Sequence, residues 1–409
     1  MDFRQFTQPG AARPTATEAP ESEPRATRAA SGKVKKLNWL QLSNGIMLVA
    51  IAVLVGLVVK ATNHKSHRQP QFPQHSSRQF ASPVPVTEAS PRPPTVINVG
   101  HPLLGVTAGW ELFARGPNEV VAIQMARGQV TETYVPALQS GNPEVSFVIG
   151  SDEVMVASAD RVPGYLIPDG RPAQLLTGPF ADGGPVAPSP KVDQFWVMTG
   201  TTRQPTASLV TRAGRQAGDT IRFSSKELPN TAVPDGRGYL LVIANPNYGV
   251  YDVGPTFANR MPVQVSAVGP SRWLALACRH PHCTNEVINP ATGSHRTLPG
   301  PPLRNNAWSY PPLGVVSPDG SKAAVLASHS SKITLQLVNL QSGAVTPLDV
   351  PMDPSPSNEC LAWSPDGKWL FIASAGGRLI AVEPRTGQIE RLAVQLPYIT
   401  QVAVRPAAG

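Results

Sequence analysis

Val315-Val316-Ser317-Pro318-Asp319-Gly320-Ser321-Lys322, running on into Ala323-Ala324-Val325-Leu326-Ala327-Ser328, is the stretch on which the fold turns. One apolar run passes into another through a tight turn, and each turn residue has a local reason to be there. Proline presets φ at the second turn position, aspartate accepts hydrogen bonds from its own backbone, and glycine takes the left-handed position. About 47 residues later the construction returns as Ala362-Trp363-Ser364-Pro365-Asp366-Gly367-Lys368, followed by Trp369-Leu370-Phe371-Ile372-Ala373-Ser374. Asp319, Gly320, Asp366 and Gly367 are therefore read as structural turn residues, not as catalytic ones.

A second element follows each hairpin. Leu337-Val338-Asn339-Leu340-Gln341-Ser342-Gly343 and Ile380-Ala381-Val382-Glu383-Pro384-Arg385-Thr386-Gly387 are strands that end in a Ser/Thr-Gly turn, and Val287-Ile288-Asn289-Pro290-Ala291-Thr292-Gly293 is an earlier copy. The three glycines are spaced by 50 and 44 residues. One unit is thus four short strands in about 45 residues, the period of a β-propeller blade. Fainter copies extend upstream. The inner strands are expected at Trp110–Phe113, Val154–Ala157, Phe195–Met198, Tyr239–Ile243, Trp273–Leu276, Ala323–Leu326 and Trp369–Ile372. Trp110 and Trp369 stand 259 residues apart, which is six intervals of about 43 and so seven blades. Val233-Pro234-Asp235-Gly236-Arg237 reads as a degraded form of the same turn. Thr400-Gln401-Val402-Ala403-Val404 has no blade of its own and is expected to close the ring beside the first blade, removing an exposed edge. The expected fold is all-β, a seven-bladed propeller over residues 101–409. Uneven spacing between the fourth and sixth blades leaves six or eight open, and a pair of β-sandwich domains is the competing arrangement.

The first hundred residues have a different character. Residues 1–36 are rich in Ala, Pro, Thr, Glu and Arg and cannot bury enough surface to offset chain entropy, so they read as a disordered tail. Leu37 to Val59 carries no charged residue, and Ile46 to Val59 is apolar throughout. As a helix of about 23 residues it would be some 34 Å long, enough for a hydrocarbon core of about 30 Å. The 36 residues ahead of it are too many for a usual signal peptide, and no A-x-A-like site follows. The expectation is a retained single-pass helix over 37–60. Residues 61–100 form a Pro/Ser-rich linker that favours extended conformers and would act as a spacer. His64, His67 and His75 within it are read as solvated, not as a metal site.

Of 409 residues, 45 are Pro, 34 are Gly and only 15% are charged, as many short strands with Pro/Gly turns would produce. The net charge of +8 sits outside the repeats. Lys and Arg outnumber acids by seven to four before Leu37 and by five to one from Lys60 to Gly100, but by only 23 to 22 in the remainder. The basic balance flanks the apolar segment, and no basic stripe with interleaved aromatics suggests nucleic-acid binding. Arg25, Arg28, Lys33, Lys35 and Lys36 on one side, against Lys60, Lys65 and Arg68 on the other, favour a cytoplasmic N-terminus and an extracytoplasmic propeller at the cell membrane.

Cys278 and Cys283 flank Arg279-His280-Pro281-His282 across a short hairpin, where opposite residues can reach disulfide distance. A disulfide there is expected, and it would persist only outside the cytosol. Zinc held by Cys278, His280, His282 and Cys283 is the sharper alternative, but one short loop rarely wraps a tetrahedral ion. Cys360 precedes an apolar strand and reads as a core residue. Asp152-Glu153, the one adjacent acidic pair in the repeats, reads as a solvated turn. No Gly-x-Ser-x-Gly elbow, phosphate-binding loop, His-Glu-x-x-His or EF-hand pattern occurs. No catalytic, cofactor or metal residue is assigned.

The Ser-Pro-Asp-Gly-Lys string, with Trp363 before it and Trp369 after it, resembles the WD40-like propeller repeats of TolB-type proteins, most closely in the last two blades. The Trp-Asp and Gly-His signatures of true WD40 repeats are missing. The anchored layout is similar to that of membrane proteins of high-GC Gram-positive bacteria. The resemblance implies a binding or protein-interaction platform at the cell envelope and carries over no catalytic residue, and its ligand is left open as a protein, a glycan or a small molecule. A lyase or hydrolase with its site in the central channel is the first alternative, and an envelope sensor signalling through the helix is the second.

Overall fold

The computed structural model describes residues 92–135, 145–158, 164–180, 185–191, 193–201, 204–223, 228–245, 249–254, 256–261, 263–279, 282–303, 314–329 and 332–407. The tail over 1–36, the predicted membrane helix over 37–60 and all but the end of the linker lie outside them. Among the described residues no helix is long and apolar enough to cross a membrane.

The molecule is all-β and repeats one unit, a meander of four antiparallel strands in which spatial order follows chain order. Such meanders run over 145–175, 186–222, 228–261 and 361–391. An eight-stranded sheet holds two more, over 264–298 and 314–348, joined where Ala267 and Val268 pair in parallel with Gly314 and Val315. The remaining sheet joins the two ends of the described chain. Glu111–Arg115, Glu119–Gln124 and Gln129–Tyr134 form its middle, Thr95–Asn98 adds an outermost strand, and Gln401–Arg405 supplies the innermost one. Glu111 pairs with Arg405 and Arg115 with Gln401, so the last strand closes the first sheet as the sequence predicts. The sheet already starts at Thr95, within the stretch read as linker.

Packing makes the ring. Phe113 and Val120 of the first sheet meet Phe147, Val154 and Val156 of the next. Met155 and Val148 then meet Phe195 and Val197, Trp196 and Leu209 meet Leu240 and Val253, and Leu241 and Val250 meet Trp273 and Ile288. Leu274 and Val287 pack on Val325 and Val338. The largest cluster runs from Leu335 through Leu370 and Phe371 back to Leu112 and Ile123. Each sheet thus buries both faces against its two neighbours, and the order closes on itself. This is a β-propeller and not a pair of sandwiches, which would bury one face of each sheet. Trp110 meets Phe371 edge to face at 5.8 Å across the closing interface.

Two expectations need correction. The apolar runs read as inner strands are second from the axis. Leu370–Ser374 lies between Leu361–Trp363 and Arg378–Val382, and all five of its residues are buried. The second strand is covered on both edges and both faces, so it gives the longest apolar run. Several of the true innermost strands are shorter, only three residues at Gly314–Val316 and Leu361–Trp363. The Pro-Asp-Gly string at 234–236 is also out of step with its later relatives. Tyr239 N–H donates to the Asp235 carboxylate, and Asp235 N–H donates to Tyr239 O. In the later copies Trp369 N–H donates to Ser364 Oγ, and Ser364 N–H to Trp369 O. Asp235 therefore occupies the place of the serine, not that of the aspartate.

Candidate functional site: the axial cavity

The innermost strands surround a cavity of about 380 Å³ on the propeller axis. Its wall is made by Val145–Ile149, Val186–Pro188, Leu228–Pro234, Gln264–Val268, Gly314–Val316, Leu361–Trp363 and Gln401–Arg405, with the turns that follow several of them. Short strands with small residues leave the space open. Gly314-Val315-Val316 and Leu361-Ala362-Trp363 all border the cavity, and in each the middle residue, Val315 or Ala362, is half-exposed while its two neighbours are buried. Period-two alternation produces this arrangement. Pro188, Pro234, Pro270 and Pro318 contribute lining without an N–H group.

An innermost strand turns one edge of unpaired N–H and C=O groups towards the axis, which would make the wall polar. Neighbouring side chains meet several of these groups. Val186 N–H donates to Ser146 Oγ at 2.9 Å, and Trp363 Nε1–H donates to Val315 O at 3.0 Å. Gln401 Nε2 donates to Val145 O at 2.7 Å, and Phe147 N–H donates to Glu359 Oε2 at 3.0 Å. The parallel pairing of Ala267 and Val268 with Gly314 and Val315 engages another stretch of edge.

Among the described residues that line the cavity, Glu359 is the single ionisable side chain. It lies two residues ahead of the last sheet's inner strand, at the end of the cavity where Gln401 opens the closing strand. Its backbone is left-handed, with φ +63°, a conformation that costs a non-glycine residue about 1–3 kcal/mol and persists only where the surroundings impose it. Here they do. Glu359 O accepts from Val402 N–H at 2.8 Å, and its carboxylate accepts from Phe147 N–H and, at 3.2 Å, from Gln401 Nε2. Gln401 is fully buried and also reaches Asn358 O, while its Oε1 accepts from Arg115 Nε. The network ties the first sheet, the second sheet, the last sheet and the closing strand together. Burial pushes the Glu359 carboxyl up to about 8, against the opposing pull of the Phe147 N–H and the Arg115 charge. Burial likewise brings the Arg115 guanidinium down to about 10, opposed by Glu359 and Glu119.

No sequence pattern pointed to this group, since Arg115 and Gln401 are 286 residues apart. The one available trace is a polar residue set in each of two otherwise apolar runs. A second network seals the opposite end of the closing strand, where Arg405 pairs with Glu111 and, at 2.6 Å, with Asp169, and lies over the Phe113 ring.

Asp319, Gly320, Asp366, Gly367, Cys278 and Cys283 are not among the residues that line the cavity, whereas Pro318 and Trp363 of the repeated turn motif are. Ser317 Oγ and Ser364 Oγ each donate to the aspartate two residues on, Asp319 and Asp366, at 2.6 Å. Gly320 and Gly367 have φ of +70° and +68° and donate back to Ser317 O and Ser364 O. The Ser317 and Ser321 hydrogen bonds hold the Asp319 carboxyl below its ordinary range. Cys278 and Cys283 face each other across the hairpin of Trp273–Arg279 and His282–Ile288 and are joined as a disulfide, so their sulfurs are not free for a metal. Cys360 is buried, and burial pushes its thiol up to about 12. Asp152 is exposed, as a solvated turn requires, but Glu153 is buried. It pairs with Arg212, which also reaches Asp152 at 3.4 Å. Asp193 brings a third carboxylate to that group. The guanidinium already supplies the countercharge that a cation would bring.

No protein-family model and no curated protein matches the chain. Among solved structures it is similar to a functionally unknown protein from Desulfotomaculum acetoxidans, at 14% identity and TM-score 0.47 over 72% of this chain and 99% of that one. It is also similar to TolB from Acinetobacter baumannii, at 14% identity and TM-score 0.39 over 73% and 83%. An oligogalacturonate lyase in complex with manganese gives 11% identity and TM-score 0.45 over 72% and 92%. At such values no activity carries across, and the propeller is defined by its own sheet order and packing.

Proposed function

We propose that this chain is a single-pass membrane protein whose extracytoplasmic, seven-bladed propeller is a non-catalytic binding module at the cell envelope. The observation that carries the reading is the character of the axial cavity. Acid–base or hydrolytic chemistry needs a second group beside the first, and none of the other described residues lining the cavity ionises. A lone carboxyl bound by backbone and amide donors is better suited to holding the ring and a ligand than to turnover. The blade number is supported by the six four-stranded meanders and the five-stranded closing sheet, seven units among the described residues. The membrane anchor is supported by the uncharged run over 37–59 and the orientation by its flanking charges.

Photo-crosslinking in intact cells, with the propeller as bait, is expected to recover one consistent partner. Recovery of nothing above background would remove the platform reading. Orientation has its own test. After mild reduction of intact cells, a membrane-impermeant maleimide should label Cys278 and Cys283. Labelling that appears only after lysis would place the propeller on the other side.

A further inference from the structure

We propose that the axial cavity is a small-molecule site whose ligand is uncharged and largely apolar, with one hydrogen-bonding end seated against Glu359 and Asn358. This rests on reading the propeller as a binding module and commits one of its sites to a ligand class.

Size comes first. A volume of about 380 Å³ lies within the roughly 300–1,000 Å³ range of small-molecule sites, and is about 2.5 times the ~150 Å³ of an apolar cavity that takes up benzene. A two-ring molecule would fit. Chemistry then removes the other ligand classes. An added peptide strand needs a free ladder of N–H and C=O groups, yet Val145 O, Phe147 N–H, Val186 N–H and Val315 O already have partners. A glycan needs many side-chain donors and acceptors, and the described residues of the wall offer Asn358 and Glu359. An anion would find no cationic side chain on the described wall, and a cation would find a single carboxyl, already bound by Phe147 and Gln401. What remains is apolar surface. Val315, Ala362 and Ala403 face the space, and the Trp363 indole spends its N–H on Val315 O. Such a wall holds water poorly and gains by covering itself with apolar atoms.

The probe is 4-methylbenzophenone, two rings and one carbonyl acceptor, photolysed on the detergent-solubilised full-length chain with peptide mapping by mass spectrometry. Saturable labelling is expected on peptides that carry Val315, Ala362 and Val402–Val404. Excess phenyl benzoate, uncharged and of similar shape, should compete it away. 4-Benzoylbenzoate, the same rings with a carboxylate, should not label these peptides. Ala362→Phe fills the space and should lose the label while still melting cooperatively; if it fails to fold, the competition in the unsubstituted chain decides. Labelling that never saturates, or equal labelling by the carboxylate, overturns the site. Failure here with partner capture in cells intact would sink this inference alone, whereas failed capture would sink the binding-module reading.

Discussion

Glu359 combines three features that rarely coincide: a left-handed backbone, a carboxyl inside the ring, and hydrogen bonds to two other sheets. Its ionisation should be visible in stability. The folded carboxyl is raised to about 8, so between its ordinary value and about 8 the native state keeps a proton that the unfolded chain has lost. The stability it contributes is full below the unfolded value and is lost as pH rises towards about 8. Glu359→Gln cannot ionise. Melting temperatures of the full-length chain from about pH 6 to about pH 9 should therefore fall more steeply in the unsubstituted protein than in the variant. Equal slopes would show that the carboxyl is not buried in this way. Asp235 supports a second expectation. It is fully buried and accepts from Arg237 N–H, Tyr239 N–H and Arg237 Nε, and its backbone O accepts from Trp273 Nε1. Arg237 goes on to Asp252 and to Pro290 O in the next sheet. Asp235→Ala leaves that guanidinium short of countercharge and should cost roughly 3–5 kcal/mol in urea unfolding.

At the level of elements, the hairpin is what the sequence writes most clearly, because its determinants are adjacent. Ser317, Asp319 and Gly320 bond one another within four residues, as do Ser364, Asp366 and Gly367, and the turn was legible for that reason. Cys278 and Cys283 were legible likewise, as opposite residues of one hairpin. Their bond closes a small loop, so reduction should lower stability by no more than about 2 kcal/mol. Cys360 should stay unreactive under the same conditions, because its thiol is buried and shifted to about 12. Native-state alkylation after reduction is thus expected to modify Cys278 and Cys283 only, with Cys360 joining after unfolding. The innermost strands were less legible. Three residues such as Leu361–Trp363 are too few for a pattern, and the longer run beside them draws the eye to the second strand.

The whole molecule depends on its closing strand. Gln401–Arg405 pairs along all of Glu111–Arg115, and its two ends carry the Gln401 and Arg405 networks. Truncation after Thr400 would expose the first sheet's edge and the cavity together. It should abolish cooperative melting and promote aggregation, whereas truncation after Pro406 should leave the melt unchanged. A cooperative melt in the shorter form would mean that the ring does not depend on this strand. The repeat period, the turns, the disulfide pair and the need for a closing strand followed from the amino-acid sequence alone, because each rests on neighbours in the chain or on a regular interval along it. The linked group of Arg115, Glu359 and Gln401 and the apolar finish of the axial wall were decided only in three dimensions. They join residues up to 286 positions apart, and nothing local distinguishes a glutamate that will meet its donors across a closed ring from one that will meet water.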